Sequence, residues 1–285
     1  MHQLPSKNRV SGSGLNHLIP ITLAAGFERA SIFDRDFEMS TLFVAWQAPD
    51  PTRAWFPIGR LDVSNDRKDY VFRYTHGARH AHDRAGFEPL IAFPDFERRY
   101  EANALFPLFK NRVLEPNRKD FAEYLQWLDM DPANADPIEI LGLTGGERQT
   151  DSLEVFPAVR KLSDGTIQCR FFLHGLRHVS AAARERAERL SVGEALQVAI
   201  EVNNPATTYA VQLQTADCHM IGWAPRYLVD DLRAALLDHS TITAKVQRIN
   251  RLGAPFARRV LVELRGGVPA AFEPMTSDEY QVMGS

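Results

Sequence analysis

Short stretches of alternating apolar and polar residues predict strands in the first half of the chain. In "DYVFRYT", Tyr70, Phe72 and Tyr74 share one face of an extended segment, which is the two-residue period of a half-buried strand. The runs "TLFVAW" and "AWFPIGRL" are set apart from it by Pro, Asp and Asn, which favour turns. This region therefore predicts a small antiparallel sheet.

The second half is also read mainly as strands. "QCRFFLHGL" is a strongly apolar run, whereas "ALQVAIEV" and "TYAVQLQT" alternate. "HMIGW" predicts a short strand that leads into a helix, and "TITAKVQRI" with "RRVLVELRG" predicts a hairpin. Many short strands with one helix are typical of a small β-barrel-like domain.

Two segments show the apolar spacing of helices. "DFAEYLQWLDM" predicts a helix in which Asp120 is the N-cap and Glu123 follows three residues later. "APRYLVDDLRAALL" predicts a second helix with Pro225 in its first turn. Together with the strands, these helices predict a β-rich α+β fold.

The chain of 285 residues is long enough for two small domains. Its Ser- and Gly-rich start favours a flexible leader followed by a strand over a signal peptide. The doubled glycine in "LTGGERQTDS" lacks the ending of a phosphate-binding loop and predicts a turn between domains. The predicted parts are a flexible leader and first strand (1–40), an aromatic-rich β-domain with a C-terminal helix (41–145), a barrel-like domain (150–270) and a frayed tail (271–285).

Composition narrows the function classes. The net charge of -3 excludes a strongly basic nucleic-acid binder at the level of the whole chain, but it is compatible with local basic patches. Two cysteines are too few for a disulfide framework and favour a reducing, cytoplasmic setting. Because no apolar run approaches the length of a bilayer span, no membrane partner is expected.

Aromatic residues are concentrated in one region. Residues 41–130 contain 16 of the 28 Phe, Tyr and Trp residues of the chain. Such crowding occurs in base-stacking platforms, but it is more often found in a hydrophobic core. We therefore predict that these rings form the core of the first domain.

Motifs for catalysis and for cofactors are missing from the sequence. It contains no nucleophile elbow, no His-Glu-x-x-His and no Cys-x-x-Cys. We expect no catalytic residue, no cofactor and no enzyme activity, although catalytic groups can also be assembled from distant positions. His76, His80 and His82 have a spacing that could suit a metal, but a mobile His-rich loop is the favoured interpretation. The adjacent Cys218 and His219 are interpreted as the tip of a hairpin.

Three segments of the second half, in order, resemble a HIRAN domain. They are "FFLHGLRHV" (171–179), "EVNNPATTYAVQL" (201–213) and "HMIGWAPRYLVDDL" (219–232). The family is similar to an oligonucleotide-binding β-barrel, and its members hold single-stranded DNA, including a free 3′ end. By position, the resemblance implies a phosphate and base pocket at Gly175, Arg177 and His178, faced by a wall that includes Asn204, Pro205 and Tyr209. Thr207 stands where the family has an acidic residue, so recognition of a free 3′ end stays open.

The first half resembles the small N-terminal β-domain of HipA-type kinases. The resemblance lies in "FPIGRLDVSNDRKDYVFRYTHGA" and "NALFPLFKNRVL". Nothing resembles the kinase catalytic core, so kinase activity is not implied.

A basic run in the last hairpin adds to the candidate site, since no acidic residue lies between Lys245 and Val260. The sequence thus predicts non-enzymatic binding of single-stranded DNA, or of DNA ends or junctions. The alternatives are a module that docks a kinase-like or nuclease partner through residues 41–145, and a hydrolase acting on nucleic acid or nucleotides. The predicted nucleic-acid-binding residues are Gly175, Arg177, His178, Asn204, Tyr209, Trp223, Arg226, Lys245, Arg248, Arg251, Arg258 and Arg259.

Overall fold

The computed structural model describes residues 39–148, 150–205, 207–237, 241–251 and 253–284. These residues form two antiparallel β-sheets with α-helices packed around them, which confirms the predicted β-rich α+β class. Most of the predicted leader, residues 1–38, lies outside the described residues.

The first sheet contains five strands in the spatial order β4-β3-β2-β1-β5. They are β1 (Met39–Gln47), β2 (Trp55–Ser64), β3 (Tyr70–Tyr74), β4 (Tyr100–Ala102) and β5 (Leu153–Pro157). In β3, Tyr70, Phe72 and Tyr74 are buried as predicted, and Val71 on the other face is buried as well. Strand β5 begins after the predicted domain boundary and pairs with β1.

The second sheet contains six strands in the spatial order β6-β11-β10-β7-β8-β9. They are β6 (Thr166–Phe172), β7 (Ala195–Asn204), β8 (Thr208–Gln214), β9 (Met220–Trp223), β10 (Ile242–Ile249) and β11 (Val260–Gly267). The predicted hairpin of β10 and β11 is present.

The predicted barrel is not confirmed, because neither sheet is closed. The edge strands β6 and β9 approach each other at one isolated bridge between His174 and Trp223. The amide of each residue donates to the carbonyl of the other, at 2.9 and 3.0 Å. This bridge joins the segment after β6 to the end of β9 without a continuous ladder.

The helices are short and lie between the strands. They are α1 (His76–Ala85), α2 (Pro107–Lys110), α3 (Phe121–Trp127), α4 (Pro137–Thr144), α5 (Ala181–Glu188) and α6 (Val229–Leu237). The predicted helices correspond to α3 and to α6, which follows a 3-10 turn at Arg226–Leu228. Within the described ranges, no helix combines the length and the apolar composition that a membrane crossing requires.

Three details of the helices differ from the prediction. Asp120 precedes α3 but does not cap it, because its carboxylate binds Arg118 instead. The second domain was expected to contain one helix, yet α5 is a further one, started by Ser180, whose hydroxyl accepts from the Ala183 amide at 3.2 Å. Helix α4 was not predicted, although Asp136 caps it and Pro137 occupies its first turn.

The predicted His-rich loop is wrong, since residues 76–85 form α1. Gly77, Ala78 and Ala81 are buried on one side of this helix. This buried face consists of small residues only, so the segment lacks the large apolar side chains that usually mark a helix in a sequence. His76 and His80 instead lie near Asp278, at 2.8 and 3.5 Å.

The predicted frayed tail is also wrong. Met275, Tyr280 and Met283 are buried, and the amide of Met283 donates to the Tyr74 carbonyl at 2.8 Å. The segment is ordered because it places three large apolar side chains in the core.

The aromatic crowding forms core, as predicted. Phe72, Tyr74, Phe93 and Phe109 are fully buried, and the rings of Phe72 and Phe93 stack with centroids 4.0 Å apart.

One hydrophobic cluster joins the two sheets. Phe156 of β5 stacks on Tyr227 with ring centroids 4.3 Å apart and an interplanar angle of 10°. Phe43 of β1 belongs to the same cluster as Val262 of β11. Both sheets therefore belong to one compact unit, and the predicted division into separate domains stays a prediction.

Candidate functional site

One concave feature of the structure is a cleft of about 430 Å³, here called the main cleft. One side is formed by the end of α4, the turn that follows it and the start of β5. The other side is formed by the turn after β6 and by the 3-10 helix Phe256–Arg258 before β11. A volume of this size lies within the range of small-ligand sites, about 300–1,000 Å³.

The turn after β6 is shaped by Gly175 and Trp223. Gly175 has a φ of 73°, and a Cβ at this position would lie 2.4 Å from the Trp223 ring. Only glycine allows this close approach together with the left-handed conformation. The chain then enters a 3-10 helix, Leu176–His178, in which Leu176 is buried and Arg177 and His178 are exposed. Arg177 Nε donates to His178 Nε2 at 2.9 Å.

The segment before β11 contributes a cation and an aromatic ring. The guanidinium of Arg258 lies 5.1 Å from the centre of the Phe172 ring and donates to the Thr144 carbonyl at the end of α4. Desolvation lowers the pKa of Arg258, yet an arginine remains charged at neutral pH. Phe256 is 53% exposed and lines the main cleft.

A second concavity of about 450 Å³, here called the side groove, adjoins the main cleft. The two share Leu176 and Phe256 as lining residues. The cations along the side groove are Arg184, Arg251 and Arg259. Arg184 donates to backbone carbonyls of the turn after β6, which ties α5 to that turn.

Five arginines around these two concavities share one property, and we call them the cationic cluster. None forms an ion pair with a carboxylate of the described residues, whereas Arg112, Arg186 and Arg248 elsewhere in the chain do. The members of the cationic cluster are Arg177, Arg184, Arg251, Arg258 and Arg259. Three carboxyl groups, those of Glu147, Glu154 and Glu188, line the same two concavities. Five arginines against three glutamates leave a local excess of positive charge on a mildly acidic protein.

Glu154 of β5 also lines the main cleft. Its Oε2 accepts a hydrogen bond from Trp55 Nε1 at 3.3 Å. Desolvation raises the pKa of Glu154 from 4.5 to about 7; the Glu147 carboxylate adds to the rise, and the Trp55 hydrogen bond opposes it. The carboxyl is thus partly protonated near neutral pH.

His174 also lines the main cleft. Its side chain has a large accessible area, but it stands within a concave site where protein limits its hydration. Desolvation, with a smaller effect of Arg258, lowers its pKa to about 4. The imidazole is therefore neutral at neutral pH and presents one donor and one acceptor.

Replacing Glu154 by glutamine is expected to change how stability depends on pH. In the wild type, the folded state keeps the Glu154 proton up to about pH 7, whereas the unfolded state releases it near 4.5. The free energy of unfolding of the wild type should therefore fall, relative to Glu154→Gln, as the pH rises through this window. Urea midpoints measured across that range test this expectation. Glu115→Gln, at an exposed position, serves as the control and should show the same pH dependence as the wild type. If the curve of Glu154→Gln also runs parallel to that of the wild type, the expectation is wrong.

Half of the predicted binding residues line the two concavities. Gly175, Arg177, His178 and Arg258 line the main cleft, and Arg251 and Arg259 line the side groove.

Three other predicted cations lie outside the main cleft and the side groove. Arg226 lines a separate depression together with Trp55 and Glu154. Lys245 is exposed on β10, opposite Glu263 of β11. Arg248 forms an ion pair with Asp129 at 3.3 Å, which offsets its charge.

The remaining predicted residues also line neither concavity. Asn204 Oδ1 accepts from the amide and the hydroxyl of Thr207, so both residues shape the β7–β8 turn. The ring of Tyr209 is covered by Arg233, whose guanidinium lies 4.8 Å from its centre. Trp223 supports Gly175 and donates its indole N–H to Glu201.

Several lining residues were not predicted. Phe256 is the one aromatic residue within the basic run, and the preceding Pro255 signals a loop. Glu154 is a single charge in the apolar strand "LEVFP", which is a usable signal for a functional carboxyl. No comparable sequence signal marks Arg184 or His174.

The adjacent Cys218 and His219 do lie in the tight turn between β8 and β9, as predicted. Cys218 is exposed and unpaired, and His219 contacts Asp217. Among the residues that the structure describes, no group of three or more His, Cys, Asp or Glu is arranged to hold a metal ion.

Comparisons with known proteins add little. No protein-family model matches the chain, and no curated protein matches it. Among solved structures, the chain is similar to the crystal structure of a protein from Lactobacillus plantarum determined by a structural genomics consortium. The identity is 17%, the match covers 38% of this chain and 95% of that chain, and the TM-score is 0.29. The resemblances to HIRAN and HipA-type domains therefore stay predictions.

Proposed function

We propose that the protein binds single-stranded nucleic acid along the main cleft and the side groove, without catalysing a reaction. The observation that carries this proposal is the cationic cluster. Five arginines without carboxylate partners line two adjoining concavities. Arginines whose charge is not offset by a carboxylate can release counterions from a phosphate backbone.

The aromatic content of the site supports a single strand as the ligand. The exposed ring of Phe256 lies at the junction of the two concavities. A basic groove combined with an accessible aromatic ring is the usual arrangement for binding unpaired bases. Arg259, which lies 5.3 Å from the ring centre, would stiffen this platform.

The sequence resemblance agrees with this location. The HIRAN-like segment 171–179 contributes Gly175, Arg177 and His178 to the main cleft. The single bridge between His174 and Trp223 places the segment after β6, which carries Arg177, beside the end of β9. We therefore propose a HIRAN-like binding module, with the wall opposite Arg177 formed by α4 and β5.

Binding should weaken strongly as the salt concentration rises, and each arginine of the cationic cluster should contribute to this dependence. We expect the full-length chain to bind fluorescein-labelled oligothymidylate more tightly than duplex DNA at about 50 mM salt. Arg177→Ala and Arg251→Ala should each weaken binding and reduce the slope of log K against log salt by about 0.7. Fluorescence anisotropy between about 50 and 200 mM salt measures both quantities.

The matched control is Arg265→Ala. Arg265 is exposed, pairs with Asp164 at 2.8 Å and lies outside both concavities. Its removal should leave the salt slope at the wild-type value. Absence of binding at low salt, or equal slopes for all three variants, would overturn the proposed function.

A further inference from the structure

The main cleft has a wall of opposite charge, which we call the acidic wall and define as Glu147 and Glu154. The two side chains flank Gly145. A Cβ on that glycine would lie 3.6 Å from Glu154 Cγ and 3.7 Å from Glu147 Cγ. The same cleft is lined by Arg177 and by Arg258, whose guanidinium donates to the Thr144 carbonyl next to Gly145. A ligand in this cleft therefore meets both cations and carboxyl groups.

Glu154 is fixed in position more firmly than Glu147. It lies within β5, directly opposite Ala45 of β1, and its Oε2 is held by the Trp55 indole. Its Oε1 makes no hydrogen bond to any residue that the structure describes, while Glu147 lies in an exposed turn. Because a carboxylate has about four lone-pair positions, Glu154 retains acceptor capacity on both oxygens.

The acceptor positions that Glu154 retains can be satisfied by a hydrogen-bond donor on the ligand. Within a DNA strand, phosphate and sugar ring oxygens only accept hydrogen bonds, so they cannot satisfy an ionised Glu154. The bases carry amino and imino donors on the edges that single-strand binders read. Guanine presents two adjacent donors on its Watson–Crick edge, whereas adenine and cytosine present a donor beside an acceptor. The side-by-side oxygens of an ionised carboxylate match only the guanine pattern.

We infer that Glu154 binds the Watson–Crick edge of one unpaired guanine in the main cleft, an inference that rests on the proposed single-strand binding. The phosphate of this nucleotide lies toward Arg177, and a neighbouring base stacks on Phe256. A duplex cannot make the contact, because its Watson–Crick edges are already paired. Glu154 is then a specificity residue, while the cationic cluster provides affinity for any sequence.

The protonation of Glu154 sets the conditions for a test. Because burial raises the pKa of Glu154 to about 7, the carboxylate form dominates at about pH 8.5. At about pH 5.5 the neutral carboxyl offers one donor and one acceptor. The preference for guanine should therefore weaken as the pH falls through neutrality.

The experiment measures binding of the full-length chain to labelled oligothymidylates that carry one central dG, dA, dC or dT. At about pH 8.5, the dG oligonucleotide should bind about tenfold more tightly than the other three. Glu154→Gln should abolish this preference and favour dA and dC, because a glutamine amide pairs with a donor beside an acceptor. A single guanine in a thymidine context avoids structures formed by guanine runs.

Glu147→Gln is the matched variant for charge. It removes one negative charge from the same wall, so it should tighten binding of all four oligonucleotides while keeping their order. If the wild type binds all four equally, or if Glu154→Gln keeps the guanine preference, the inference is wrong and the proposed function stands. If none of the four binds, both fail.

Discussion

Replacing Gly222 by alanine is expected to lower the free energy of unfolding by about 2–4 kcal/mol. Gly222 has a φ of 153°, which L-residues rarely adopt, and a Cβ would lie 2.6 Å from the His174 carbonyl oxygen and 2.6 Å from Leu173 Cγ. One of these obstacles is backbone, so it cannot be relieved by a change of rotamer. The His174 carbonyl accepts from the Trp223 amide, and the substitution should therefore also displace the turn that carries Arg177.

Chemical denaturation followed by circular dichroism measures this loss. Gly267→Ala is the matched control, because Gly267 is also in a strand of the second sheet and a Cβ there would meet nothing within 4 Å. That variant should change the free energy of unfolding by less than about 0.5 kcal/mol. Equal midpoints for the two alanine variants would contradict the expected clash between a Cβ at position 222 and the His174 carbonyl oxygen.

Replacing Phe72 by alanine is expected to lower the free energy of unfolding by about 3–5 kcal/mol. The side chain is fully buried, stacks on Phe93 and contacts the edge of Tyr74, with ring centroids 5.2 Å apart. Rigid aromatic neighbours on several sides cannot collapse into the space that the missing ring leaves, so the cavity cost is added to the lost burial.

The same denaturation measurement on Ile91→Ala provides the comparison. Ile91 is fully exposed in a loop near this core, and its truncation should be almost neutral. Because one hydrophobic cluster joins the two sheets, tryptophan fluorescence and circular dichroism should report one transition in both proteins. A loss below about 1 kcal/mol for Phe72→Ala would contradict the cavity argument.

The strands could be predicted from sequence where one face is buried. The alternation in β3 and in the β10–β11 hairpin is direct evidence of a two-residue period. Helix α1 could not be predicted in this way, because its buried face is made of glycine and alanine. The order of the C-terminal segment depends on pairing between Thr75 and Val282, which are far apart in sequence.

The candidate site was predictable only on one side. Gly175, Arg177 and His178 are consecutive enough to form a motif, and they do meet in the main cleft. Glu154 carries a usable sequence signal, but its place in the same cleft as Arg258 could not be predicted, because the two meet only after β5 joins the first sheet and β11 joins the second. Arg248 was included in the predicted site because sequence alone does not reveal its ion pair with Asp129.

The stacking of Phe156 on Tyr227 has a consequence for how a ligand would enter. Tyr227 lines the main cleft, and Phe156 directly follows the lining residue Val155. Their stacking ties the two sides of the cleft into one core. A slot with such walls is preorganised, so little conformational entropy is lost when it is filled. Association with an anionic strand should then need no opening step, and its rate should be set by diffusion and by long-range electrostatic steering.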